Sequence, residues 1–91
     1  MEYLNIRIII SGLVQGVFFR SETLEKANSL NLKGFVKNKA DGSVQIEAEG
    51  EKNSLMQLLN WAKNGPSLAE VSQLKHELSD ELKNFQGFTI Q

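Results

Sequence analysis

The chain has 91 residues, enough for one domain built on one hydrophobic core, and the sequence reads as a single domain spanning residues 1–91. With 41% hydrophobic and 23% charged residues it has an ordinary globular composition, and its net charge of −1 lacks the basic excess of a nucleic-acid-binding surface. It has no cysteine, which excludes disulfides, thiolate metal sites and a cysteine nucleophile.

The first residues, Met1-Glu2-Tyr3-Leu4-Asn5, are not basic, and Arg7 interrupts the nearest apolar stretch, so no signal peptide is expected. No segment approaches the ~20 apolar residues of a membrane span. The expectation is a cytoplasmic, soluble protein with no membrane partner.

From Tyr3 to Ser11 the chain is rich in β-branched residues, with Ile6, Ile8 and Ile10 on one face and Ile9 on the other. This predicts a central strand covered in part on both sides, ending at Gly12. After a glycine-containing loop, Phe19, Thr23, Ala27 and Leu30, with Leu24 beside them, recur at helical spacing. Glu22, Glu25 and Lys26 fall on the opposite face of that helix.

Lys33 to Lys39 predicts a second strand, followed by Asp41-Gly42, a signature of the type I′ hairpin turn. The return strand alternates Val44, Ile46 and Ala48 against Ser43, Gln45, Glu47 and Glu49, the pattern of a half-exposed antiparallel strand, and Gly50 ends it. Leu55, Leu58, Leu59 and Ala62 then mark an amphipathic helix, with Ser54 and Gln57 as a capping box or Asn53 as the competing cap. Gly65-Pro66 stops it. A strand from Glu70 to Glu77, a polar loop from Ser79 to Asn84 and a short strand at Phe88-Thr89-Ile90 complete the chain. The order is β-α-β-β-α-β with a short fifth strand. It is an α+β arrangement with two helices on one face of an antiparallel sheet.

The chemistry concentrates in Gly12-Leu13-Val14-Gln15-Gly16-Val17-Phe18-Phe19-Arg20. A loop this short between strand and helix leaves backbone N–H groups without ladder partners, and glycine permits dihedrals that aim them into one concavity. The helix adds its own free N–H groups and the positive end of its dipole. Arg20 supplies a planar fork of donors with a permanent charge. A cation at a helix N-terminus is repelled by the dipole unless a bound anion compensates both. A phosphate cradle and a plain turn with a solvated arginine are the two readings that these residues leave.

Asn38, near the end of the second strand, is the other candidate. Asparagine often terminates strands, but its carboxamide, with one acceptor and two donors, can also hold a water in a fixed direction. That second role becomes accessible if the strand lies beside the first one and its loop. Elsewhere, His76 is the single histidine, too few for a histidine metal site or a catalytic triad. Asp80-Glu81 reads as a solvated loop, Asp41 belongs to the turn, and Trp61 packs at the edge of the core. No GxxxxGK[ST] motif occurs. Lys33-Gly34-Phe35 resembles the start of an RNA-recognition motif, but it sits on the wrong strand and the first strand offers no aromatic partner.

These residues resemble a known family. Gly12 to Arg20, then Gly34-Phe35-Val36-Lys37-Asn38 and Asp41-Gly42-Ser43-Val44, resemble the acylphosphatases over essentially the whole chain. The resemblance implies a ferredoxin-like α/β sandwich that hydrolyses acyl phosphates to a carboxylate and inorganic phosphate without a metal or other cofactor. It implies that Arg20 binds the phosphate, that Asn38 positions the attacking water, and that the amides of Gln15, Gly16, Val17, Phe18, Phe19 and Arg20 complete the cradle. The sequence departs from the family at Phe35, where tryptophan is usual, and at Asn31, where the first helix commonly ends in glycine. A small-molecule substrate and a monomer are expected. The alternative is a non-enzymatic module that binds a phosphorylated metabolite or a protein partner on the same fold.

Overall fold

A computed structural model describes residues 2–91. The elements are β1 (Tyr3–Leu13), α1 (Phe19–Ser29), β2 (Lys33–Asn38), β3 (Val44–Glu51), α2 (Lys52–Ala62), β4 (Glu70–Ser79) and β5 (Phe88–Ile90). They form one five-stranded sheet in the order β4-β1-β3-β2-β5. β1, β2, β3 and β4 pair antiparallel as expected, but β5 pairs parallel to β2, so the sheet is mixed rather than purely antiparallel. The reason is topological. β4 runs down one edge of the sheet, and the segment 80–87 crosses the helix-free face to the other edge before the chain reverses into β5.

The core lies between the sheet and the helices. Ile6, Ile8 and Ile10 of β1, Val36 of β2 and Val44, Ile46 and Ala48 of β3 are fully buried against Phe19 and Ala27 of α1 and Leu55, Leu58 and Ala62 of α2. Each large aliphatic side chain removed from water in this way contributes about 1.5–3 kcal/mol. The two helices meet where the Trp61 ring stands edge-on to Phe19, with centroids 5.4 Å apart. Trp61 is therefore the core-edge residue that its helical position predicted.

Several local expectations need correction. β1 does not stop at Gly12 but continues to Leu13 through an irregularity in its pairing with β4 between Ser11 and Gly12. β3 runs past Gly50 to Glu51 because Gly50 still pairs with Leu4. α2 begins at Lys52, earlier than the Asn53 or Ser54 cap would place it, with extended Glu51 before it and no side-chain cap. One free N–H of that first turn, on Lys52, donates instead to the Glu2 carbonyl at 2.9 Å.

The β2–β3 hairpin is not closed by a type I′ turn. The Gly42 N–H donates to the Lys39 carbonyl at 3.1 Å and only Gly42, at φ 95°, is left-handed, so the loop is a three-residue turn with its glycine in the bulge position. Asp41 accepts from the Ser43 N–H at 3.0 Å and from the Ser43 hydroxyl at 2.6 Å, which fixes the turn and holds the Asp41 carboxyl below its ordinary range.

β3 is also not half-exposed. Glu47 and Glu49 point away from the helices, yet both are buried. They lie under the crossing segment, which a polar alternation cannot reveal. The Glu49 carboxylate accepts from the backbone N–H groups of Lys83, at 2.6 Å, and Asn84, at 2.9 Å. The buried Asn5 carboxamide donates to Glu49 at 2.8 Å and to Glu47 at 3.0 Å. Lys83 Nζ lies 2.7 Å from Glu47. Phe85 caps the same face, edge-on to Phe35 at 5.8 Å. Burial acts to raise the Glu49 pKa, but these donors outweigh it and hold the carboxyl below its ordinary range.

Candidate active site

The loop after β1 is built by alternation. Val14 and Val17 are buried and pin it to the core, while Gly16 and Phe18 are exposed. Both exposed residues are left-handed, with φ 75° at Gly16 and 69° at Phe18. Alternating handedness of this kind points successive amides into one concavity. Glycine adopts it freely. A phenylalanine does not, and such a residue stores roughly 1–3 kcal/mol of strain that the surroundings must impose.

Those surroundings are visible. Phe18 is the residue before α1, and its carbonyl accepts from the Glu22 N–H at 3.0 Å and the Ser21 hydroxyl at 3.2 Å. Phe19 follows it into the core and locks the helix start. The helix begins with no side-chain cap, so the first N–H groups of α1 have no intrahelical partner. Arg20, in the first turn, is exposed, and no carboxylate among the described residues forms an ion pair with it.

Asn38 reaches the same place by a different route from the one expected. β2 is not adjacent to β1, because β3 lies between them. β1 and β2 nevertheless run in the same direction, since each is antiparallel to β3, so the loop after β1 and the end of β2 emerge at one end of the sheet. The loop leans across the end of β3 to close the gap. Gln15 Nε2 donates to the carbonyls of Lys39, at 2.8 Å, and Ser43, at 2.9 Å, on the two arms of the hairpin.

The result is a cleft of about 340 Å³ lined by Val14, Gly16, Phe18, Phe19, Arg20, Ser21, Asn38 and Ile90. Of the residues singled out from sequence, Gly16, Phe18, Phe19, Arg20 and Asn38 line it directly. Gln15 turns its side chain to the hairpin instead, and Val17 is buried beneath. The bridging role of the Gln15 side chain and the contribution of Ile90 from the far edge of the sheet were not read from sequence. Both depend on strand order, for which the residues carry no local signal.

Fold and cleft together define a ferredoxin-like α+β protein with an arginine and an asparagine converging at the N-terminus of its first helix. The chain belongs to the acylphosphatase family, whose sequence model matches residues 6–90. The acylphosphatase of Pelotomaculum thermopropionicum is 39% identical over 90 residues, covering 99% of this chain and 98% of that protein. The acylphosphatase of Acaryochloris marina is 44% identical over 85 residues, covering 93% of this chain and 90% of its own length. The crystal structure of acylphosphatase from Bacillus subtilis superposes with a TM-score of 0.94 at 39% identity, over 97% of this chain and 98% of that one.

Proposed function

We propose that this cleft hydrolyses the carboxyl-phosphate bond of an acyl phosphate, with Arg20 and the amides from Gln15 to Arg20 holding the phosphoryl group and Asn38 orienting the attacking water. The observation that carries the reading is the convergence of Arg20, Gly16 and Asn38 on one cleft from the ends of two strands that do not touch. It agrees with the family to which the chain belongs, which makes it an acylphosphatase enzyme.

The reaction asks little of the protein. Water oxygen bonds to phosphorus, the bond from phosphorus to the acyl oxygen breaks, and the electron pair leaves on a carboxylate. The water proton passes to solvent or to the phosphate formed. The leaving carboxylate has a conjugate acid of pKa about 4, so no strong general acid is needed. Phosphoryl transfer through a loose transition state rewards positioning and charge stabilisation above all. Arg20 and the fixed amides serve the second, and Asn38 serves the first.

The apolar side of the cleft, formed by Val14, Phe18 and Ile90, leaves room for the acyl group. No helix of the described residues is long and apolar enough to cross a membrane. We place the enzyme in the cytoplasm as a monomer acting on a small molecule, with no cofactor. Phosphate release from benzoyl phosphate by the purified protein in excess chelator tests the proposal. Turnover that the chelator leaves intact is expected. Phosphate binding without turnover would instead identify a binding module.

A further inference from the structure

The catalytic geometry proposed above joins two groups that no strand pairing connects. The phosphate loop belongs to β1 and Asn38 to β2, and β3 separates them. Among the described residues, no backbone hydrogen bond ties the loop 14–18 to the hairpin. The tie is the Gln15 side chain. Its Nε2 spans the mouth of the hairpin, donating to Lys39 O at 2.8 Å and Ser43 O at 2.9 Å. These are the residues next to Asn38 and next to its ladder partner Val44. The two acceptors are themselves fixed relative to one another, because the Lys39 N–H donates to Ser43 O at 2.8 Å. Both amide hydrogens of one carboxamide are thus used on one rigid turn, one residue from the water-orienting side chain.

We propose that Gln15 is a positioning residue that sets the distance between the phosphate cradle and Asn38. The proposal rests on the assignment of Asn38 to the attacking water. Its backbone N–H stays in the cradle whatever the side chain, so the loop still recognises phosphate without the tie. The tie matters for the in-line approach of water, where a misplacement of about 1 Å costs on the order of 100-fold in rate.

The test is a double-mutant cycle in kcat for benzoyl phosphate, with the inhibition constant of inorganic phosphate measured in parallel. Gln15→Ala is expected to lower kcat by about 10- to 100-fold while phosphate inhibition stays within about threefold, because only the water side of the reaction is displaced. In an Asn38→Ala background the same substitution is expected to change kcat little, since the group it positions is gone. A wild-type kcat in Gln15→Ala, an equal loss of phosphate affinity and kcat, or an undiminished Gln15 effect without Asn38 would each overturn the proposal. A wild-type rate in Asn38→Ala alone would overturn the assignment of Asn38 and this inference together. A normal Asn38 deficit with a silent Gln15 would overturn this inference only.

Gln15→Glu keeps the size of the side chain and guards against a misfolded alanine variant. A carboxylate there faces two carbonyl oxygens and cannot donate, whereas the protonated acid restores one donor. The ratio of its kcat to that of the wild type is expected to rise as pH falls from about 7 to 4, because the two facing carbonyl oxygens push the introduced carboxyl above its ordinary value of about 4.3. The neighbouring charged groups, Lys39 and Asp41 on the hairpin and Arg20 on α1, are present in both proteins. Asp41 is moreover held below its ordinary range by Ser43. A flat ratio across that range would overturn the proposal.

Discussion

Glu49 offers a quantitative test of how the crossing segment is held. Its two oxygens accept from the Lys83 N–H, the Asn84 N–H and the Asn5 carboxamide, in a site where the residue is 4% exposed. Replacing it with glutamine turns one oxygen into a donor. In the less costly orientation the new NH₂ faces the Asn84 N–H, which loses its acceptor, and the other two bonds lose their charge. A buried unsatisfied donor costs about 1–3 kcal/mol, and a hydrogen bond to a charged group is worth about 1 kcal/mol more than a neutral one. The sum for Glu49→Gln is at least about 3 kcal/mol.

For a chain of this size that corresponds to a thermal midpoint lower by roughly 10 °C or more, or a urea midpoint lower by about 1 M or more. The pH dependence has a definite sign. The folded carboxyl titrates below the ordinary value of 4.5, so its contribution is complete at neutral pH. That contribution disappears as pH falls through the lower, folded value. Wild type and Glu49→Gln should therefore differ most near pH 7 and converge on acidification, measured as unfolding free energy by urea titration at several pH values. A cost below about 1 kcal/mol at pH 7, or a gap that widens in acid, would refute the reasoning.

Further outcomes follow from the site and the helix ends. Arg20→Ala should abolish phosphate inhibition and turnover together, and Arg20→Lys should recover little, because lysine lacks the bidentate fork; steady-state kinetics with phosphate as inhibitor reads both. Asn38→Ala should keep phosphate inhibition and lose turnover by about 100-fold or more, and a wild-type rate would remove its role. Asn31→Gly should stabilise the protein by about 0.5–1 kcal/mol in denaturant unfolding, because glycine carries no penalty for a left-handed conformation. Asn31 sits at φ 57° just after α1, where its N–H donates to Asn28 O at 3.2 Å and the Leu32 N–H to Ala27 O at 2.9 Å. Those are the paired bonds of a Schellman motif, so the departure from glycine at this position bears on stability and leaves the cleft untouched.

Local patterning determined the elements. Two apolar faces of period 3.6 and the β-branched run of β1 name their own secondary structure, because burial of one face is a property of a single segment. The same holds for the glycine-containing loop after β1, whose glycine and helix start are contiguous in the chain, and for the family resemblance carried by Gly12 to Arg20 and Gly34 to Asn38. Tertiary structure decided what depends on contacts between distant segments. Glu47 and Glu49 alternate like a solvent-facing edge and are buried only because residues 80–87 cross over them. The direction of β5 depends on that same crossing. Asn38 meets Arg20 across an intervening strand, through a glutamine whose side-chain partners lie 24 and 28 residues away. A residue's type fixes the bonds it can make, but the order of strands in the sheet chooses its partners, and that order is set by the packing of the whole chain.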